Sequence, residues 1–240
     1  MEERITKWWK GPAVEPQESL PVVAEPVSPL GEEKRQLTLA RIRRAAVEVV
    51  CEQGFDASID EIAKRSGVSV RTVYRHYRTH EGLLLATVKD MFAGWGQEPP
   101  VGIPRPTEDL EGWLRGTAIA IHTAHTEIPG EAFWDIFAPP RNSSPIRDQI
   151  ANLRTEARTR SVRHLTSVAW HAAGGNGDAP ETLYLAFALN LSSFTTRALI
   201  TDFDRTPEQI GVLTSDILLP LIRGAVDAQR DNHGEGVTNP

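Results

Sequence analysis

Residues Ser58 to Tyr77, SIDEIAKRSGVSVRTVYRHY, spell out two short helices joined by a tight turn. Ser58 is a good N-cap, because its side-chain oxygen can accept a backbone N–H that the first helical turn leaves unpaired. Glu61, three residues on, completes a capping box, and Ala57 and Ile62 sit at the staple positions around it. That helix can run to about Arg65, and Gly67 supplies the left-handed residue on which it stops. A second helix starts at once, with Ser69 as N-cap and Val68 and Val73 as its staple pair. At about 100° per residue Val70, Val73, Tyr74 and Tyr77 fall on one side of it. Arg71, Thr72 and Arg75 fall on the other, with Ser69 and His76 on a flank. A short helix held by its apolar side, with two arginines pointing outward, is the form of a helix-turn-helix recognition helix.

The chain as a whole carries a net charge of −6, which taken alone argues against nucleic acid. The charge is unevenly spread. Between Lys34 and His80 ten basic residues stand against five acidic ones, a local +5, so the rest of the chain carries −11. A basic module on an acidic body fits phosphate binding through one end only. At 240 residues the chain can hold one large domain, or a small one and a medium one. Hydrophobic content of 40% and a mean hydropathy of −0.31 are those of a soluble globular protein. No apolar run approaches the roughly 20 residues that a membrane helix needs. The opening MEERITKWWKG lacks a signal-peptide core. The single cysteine, Cys51, excludes an internal disulfide and fits a reducing compartment, so a cytoplasmic protein with no membrane partner is expected. Cys51 lies beside the apolar face of a helix and reads as a buried, inert thiol.

Taken in order, residues 1–33 form a proline-rich arm, with Pro12, Pro16, Pro21, Pro26 and Pro29 denying it helix, and are expected to be disordered. The helix-turn-helix domain spans 34–80. Its first helix runs from about Glu33 or Thr38 to Gln53, with Ile42, Ala45, Ala46, Val49 and Val50 at helical spacing and Gly54 ending it. Thr79 caps the next helix, whose stripe is Leu84, Leu85, Val88, Met91, Phe92 and Trp95. Gly94, Gly96, Pro99, Pro100, Gly102, Pro104 and Pro106 make a breaker-rich boundary. A larger helical domain fills 81–230, with no convincing strand: helices over about 107–127, 129–137, 145–173, 179–201 and 206–229, the last kinked at Pro220, before a loose tail at 231–240. The fold class is therefore all-α.

The C-terminal half is rich in aromatics with polar residues among them. A cavity between helices with apolar walls and a few polar groups is the usual small-molecule site. Trp113, His122, Trp134, Trp170 and Asn190 are the candidate ligand-binding residues, for an apolar or aromatic effector. His122 and His125 lie three apart on one helix, but no Cys, Asp or Glu stands at matching spacing, so no metal is expected. The sequence lacks a Walker loop, a dinucleotide-binding glycine fingerprint, an HExxH and a G-x-S-x-G elbow, so no cofactor and no enzymatic activity are expected. The rival class is a helical-bundle enzyme or ligand-binding protein working in that cavity, with His122 or His171 as a base.

Ile42, Ala45-Ala46, Gly54-Phe55, Ile62-Ala63, Gly67-Val68-Ser69, Thr72-Val73-Tyr74, His76-Tyr77 and Glu81 with Leu83-Leu84 resemble the DNA-binding signature of the TetR family of bacterial regulators. The match covers about residues 38 to 88. His80 stands where the family commonly has a phosphate-contacting lysine, Ile59 where a threonine is common, and the Gly54–Ser58 turn is one residue short. The resemblance implies a homodimer with an N-terminal DNA-binding domain and a larger C-terminal domain that senses a small ligand. It also implies a connecting helix that couples the two, where Met91, Phe92 and Trp95 would act. Arg71 and Arg75 are the expected base readers in double-stranded DNA, arginine matching guanine best. Ser69, Thr72, Tyr74, His76 and His80 are expected to hold phosphates, and Ser58 and Val70 complete the DNA-facing set. One recognition helix reads only a few base pairs, so a two-fold dimer on a palindromic operator is expected. Leu185, Leu189, Phe194 and Leu199, then Ile210, Leu213, Ile217 and Leu221, make the two C-terminal helices apolar on more than one face, as a four-helix dimer interface requires. Repression relieved by ligand is the expected mode.

Overall fold

A computed structural model describes residues 29–93, 103–126 and 144–234, and among them every regular element is helical. The proline-rich arm to residue 28, the breaker-rich stretch 94–102, the helix expected at 129–137 with Trp134, and the tail from 235 lie outside the described residues. The chain divides into two compact units. The first contains residues 29–93 and 144–157, and the second 103–126 and 158–234.

In the first unit α1 (Pro29–Gln53) is followed by a single 3-10 turn at Gly54–Asp56 and by α2 (Ile59–Ser66), α3 (Val70–His76) and α4 (His80–Ala93). The start of α1 lies inside what the sequence suggested was arm. Pro29 can open a helix because the first turn has no use for its missing N–H. The next turn is tied by Glu32, which accepts from Arg35 at 2.9 Å and from Gln36 at 2.6 Å. The core is one cluster built on Ile42, Ala46, Val49 and Val50 of α1, with Ile62, Val73, Leu83, Leu84, Val88 and Met91 from the helices that follow. Pro145–Ala157, the first half of α6 (Pro145–Ala172), adds buried Ile150 to it, with Ile146 and Leu153 packed alongside. The short side chains of Ala45 and Ala46 let the later helices approach α1. Cys51 is fully buried there, and burial, then Glu52 and Glu48, push its thiol up to about 12, so it stays protonated and inert.

The second unit contains α5 (Leu110–Thr126), the rest of α6, α7 (Glu181–Asn190), α8 (Ser193–Phe203) and α9 (Pro207–Gly234). The helix expected over 179–201 is two helices bent by 47°. Ser192 makes the break, because its hydroxyl accepts from Phe194 N and so starts a new helix where the apolar pattern alone reads straight on. In the core Trp113, Leu114 and Ala118 of α5 meet Leu218, Leu219, Ile222 and Val226 of α9, with Trp170, Leu183 and Phe187. Gly211 permits the close approach of α5 and α9. A Cβ there would stand 2.6 Å from the backbone N and Cα of Ile119. Over Pro207–Asp231 α9 is long and apolar enough to cross a membrane, although no apolar run of that length was expected from the sequence. It carries one buried face, however, and that face is core.

Candidate functional site

The helix-turn-helix is assembled by local backbone chemistry. Ser58 accepts from Glu61 N at 3.2 Å, and Ser69 accepts from Thr72 N at 3.2 Å, so both helices carry the N-caps expected of them. Between them Gly67 is left-handed at φ +66, and the turn is closed by Gly67 N on Lys64 O and Val68 N on Ala63 O. Ile62, Ala63 and Val73 are buried, which fixes the pair against α1 and α4.

The outward side of α3 presents Arg71, Tyr74 and Arg75, all exposed, and no hydrogen bond or ion pair engages either arginine among the described residues. Thr72 is half-buried, its hydroxyl 2.9 Å from that of Ser69, and Val70 is half-buried against the core. Tyr74 does not share the apolar side with Val73 and Tyr77. It is 45% exposed, because a seven-residue helix buries only its central valine and leaves the edge of the stripe in water. Two histidines of the expected phosphate set are differently placed. His80 holds the carbonyl of Ala57 through Nε2 at 2.6 Å, bracing the start of α4 against the turn before α2. His76 is half-buried with Nε2 unpaired, and burial, then Arg75 and Arg35, push its imidazole below the ordinary range.

Other cations of the basic module are engaged within the protein. Arg65 forks onto Glu52 at 2.8 Å through both terminal nitrogens and reaches Glu61 at 3.2 Å. Arg44 pairs with Glu48 at 3.2 Å. Arg43 donates to the Tyr77 hydroxyl at 3.4 Å and lies 3.4 Å from Asp90, at ion-pair distance without hydrogen-bond alignment. This last set joins α1, the residue that caps α3 and α4, and burial raises both Tyr77 and Asp90. Nothing in the local sequence signals it, since the three residues are 34 and 13 positions apart, beyond any helical period.

In the second unit His122 is fully buried, with Nδ1 2.7 Å from Thr196 Oγ1 and Nε2 3.0 Å from Thr214 Oγ1. His125 shares the same Thr196 hydroxyl at 2.8 Å. Burial pushes His122 down to about 4; burial, then His122 and Arg158, push His125 down to about 3, so both rings are neutral at pH 7. Thr196 donates to Ser192 O at 3.1 Å, and Ser215 Oγ is buried without a partner. Four residues from three helices thus make one polar island inside an apolar core, and only the histidines among them stood out in the sequence. Of the other candidate ligand residues, Trp113 and Trp170 are core, the latter with its indole N–H 3.4 Å from Asn176 O. Asn190 Nδ2 donates to Ala186 O within its own helix. Met91 is buried in the first unit's core, while the side chain of Phe92 and all of Trp95 lie outside the described residues.

Two capped helices at a glycine turn, with an arginine-bearing second helix turned outward, define a helix-turn-helix DNA-binding regulator. Residues 42–87 match the family described as bacterial regulatory proteins, tetR family. Tetracycline repressor protein class A from transposon 1721 of Escherichia coli is 28% identical over 190 residues, covering 77% of each chain. An uncharacterized HTH-type transcriptional regulator of Mycobacterium tuberculosis is 34% identical over 61 residues, 25% of this chain and 31% of that one. The crystal structure of the transcriptional regulator FadR from Bacillus subtilis in complex with stearoyl-CoA superposes with a TM-score of 0.50 at 15% identity, over 78% of this chain and 98% of that one, a likeness of fold. Over residues 42–87 the chain carries a DNA-binding domain of the tetR family of bacterial regulatory proteins.

Proposed function

We propose that the protein is a dimeric repressor that reads a palindromic operator through α3 and leaves it when a small apolar or aromatic effector binds the second unit. The observation that carries the reading is the outward face of α3, where Arg71 and Arg75 stand exposed without an internal partner among the described residues. Bidentate arginine on guanine is the strongest single-residue base contact in the major groove. Tyr74, Ser69, Thr72 and the N-terminus of α2 at Ser58 flank that face and suit phosphates. His80 contributes by bracing, through Ala57.

Dimerisation is supported by apolar side chains left in water. On α9 Leu213, Ile217 and Leu221 recur every four residues, each more than 40% exposed, while Ile210 is buried. Leu185 and Leu189 make a second exposed pair on α7. Such a surface is more than a single chain's core needs. The effector reading is supported by the island around His122, since buried polar groups in an apolar bundle are what orients a small ligand. Trp113, Trp134, Trp170 and Asn190 remain the proposed effector contacts. The absence of catalytic motifs in the sequence and the similarity to regulators favour a non-enzymatic, cytoplasmic protein over a helical-bundle enzyme with a histidine base.

The test is operator binding. A DNA fragment selected by the wild-type protein is titrated with Arg75→Ala, which is expected to lose roughly 1–3 kcal/mol and to relax the base preference at one position of each half-site. Unchanged affinity and preference would remove α3 as the reading element.

A further inference from the structure

The first unit holds a groove of about 540 Å³ that neither the DNA-facing surface nor the histidine island uses. One wall is the face of α4 that carries Leu85 and Lys89, and the other is the face of α6 that carries Asn152 and Leu153. Its end is formed by Arg78, just beyond the C-terminus of α3. Both walls repeat at helical spacing, yet they stop short of burying each other. Leu85 and Leu153 remain half-buried at the edge of the core.

The charge in the groove is net positive. Arg78 and Lys89 are exposed, and neither has a hydrogen-bond or ion-pair partner among the described residues. Glu156 is the one carboxylate on the lining, and the Asn152 amide adds a donor beside it. His76, also on the lining, has its Nε2 buried and unpaired, an orphan of the kind that folded proteins rarely leave without a reason. The volume falls within the roughly 300–1,000 Å³ of small-molecule sites, which combine apolar walls with a few placed polar groups.

We propose that this groove is a binding site for an amphipathic organic carboxylate, its headgroup on Arg78 and Lys89 and its apolar body against Leu85 and Leu153. The site is separate from the island in the second unit. Because Arg78 follows α3 by two residues, an anion held there neutralises a cation beside the recognition helix and lowers affinity for DNA. By linkage, DNA weakens the anion by the same factor.

The probe is 2-naphthoate, with 2-naphthamide as its uncharged counterpart, titrated calorimetrically into the full chain. Wild-type protein is expected to bind the acid saturably and at least tenfold more tightly than the amide. Lys89→Gln, on an exposed position, is expected to weaken the acid at least tenfold. Asn152→Trp, which fills the groove from the facing wall, is expected to abolish binding, and His122→Gln to leave it unchanged. Far-ultraviolet circular dichroism confirms that each variant is folded. No saturable binding, equal affinity for acid and amide, or indifference to Lys89→Gln would overturn the proposal. Loss of binding in His122→Gln alone would also overturn it, by assigning the anion to the second unit and leaving the repressor reading intact.

Discussion

Acidification should unfold the second unit through His122. In the folded protein both ring nitrogens are engaged by Thr196 and Thr214, and burial holds the imidazole down to about 4, against an ordinary value near 6.5. The group is a base whose folded value is depressed, so its stabilising effect is fully present above pH 6.5. As pH falls the unfolded chain takes up a proton that the folded chain refuses, and the loss continues until about pH 4. Over that whole interval His122 accounts for roughly 3 kcal/mol, and between pH 7.5 and pH 5 for about 2 kcal/mol. His125 works in the same direction. Asp90, raised by burial, works against them, but it lies in the first unit. Urea unfolding at the two pH values, followed by circular dichroism, measures the loss. The variant His122→Gln/His125→Gln, whose amides can still meet the threonines, should lose much less. A His122 imidazole resonance titrating near 6.5, or a wild-type midpoint that stays put between pH 7.5 and pH 5, would refute the argument.

Three further outcomes follow from single contacts. Gly211→Ala should destabilise the second unit by about 1–3 kcal/mol, because the new methyl meets the Ile119 backbone, which cannot swing aside; thermal melting measures it. Tyr77→Phe should cost about 1 kcal/mol in denaturant, since it removes the acceptor that Arg43 uses and leaves that guanidinium with Asp90 alone. Ile217→Asp, a charge in the middle of the exposed stripe on α9, should convert the proposed dimer to monomer in sedimentation at micromolar concentration without lowering helix content.

What the sequence made legible was whatever is decided within a few residues. Ser58, Gly67 and Ser69 act on their own backbone or on that of neighbours three residues away, so caps and turn could be written down before any packing was known. The stripe on α9 was legible for the same reason, as a helical period. Tyr74 was misplaced because a period says which residues share a side, and not how much of that side a seven-residue helix can bury. The break before Ser193 was missed because Ser192 competes with the helix only through its side chain, and the surrounding residues are apolar enough to hide it. Arg65 could not be recognised as engaged, since its partner Glu52 lies 13 residues away across a turn. The island of His122, Thr196 and Thr214 joins positions 74 and 92 residues apart, and only the packing of α5, α8 and α9 brings them together.

The internal pairing of the basic module has a consequence for how the protein searches a chromosome. A cation adds to affinity for any DNA by replacing counterions condensed on a phosphate, each such contact contributing about 0.9 to the slope of log affinity against log salt. Arg35, Arg43, Arg44, Lys64 and Arg65 each lie beside a carboxylate of the protein itself. A guanidinium already neutralised releases few ions when it meets the duplex. Five of the module's ten cations are therefore muted toward arbitrary sequence, while Arg71 and Arg75, on the face proposed to meet base edges, are outside these pairs. A regulator so arranged dwells briefly on the many wrong sites that compete for it, and its discrimination grows through what it forgoes there as much as through what it gains at the right one.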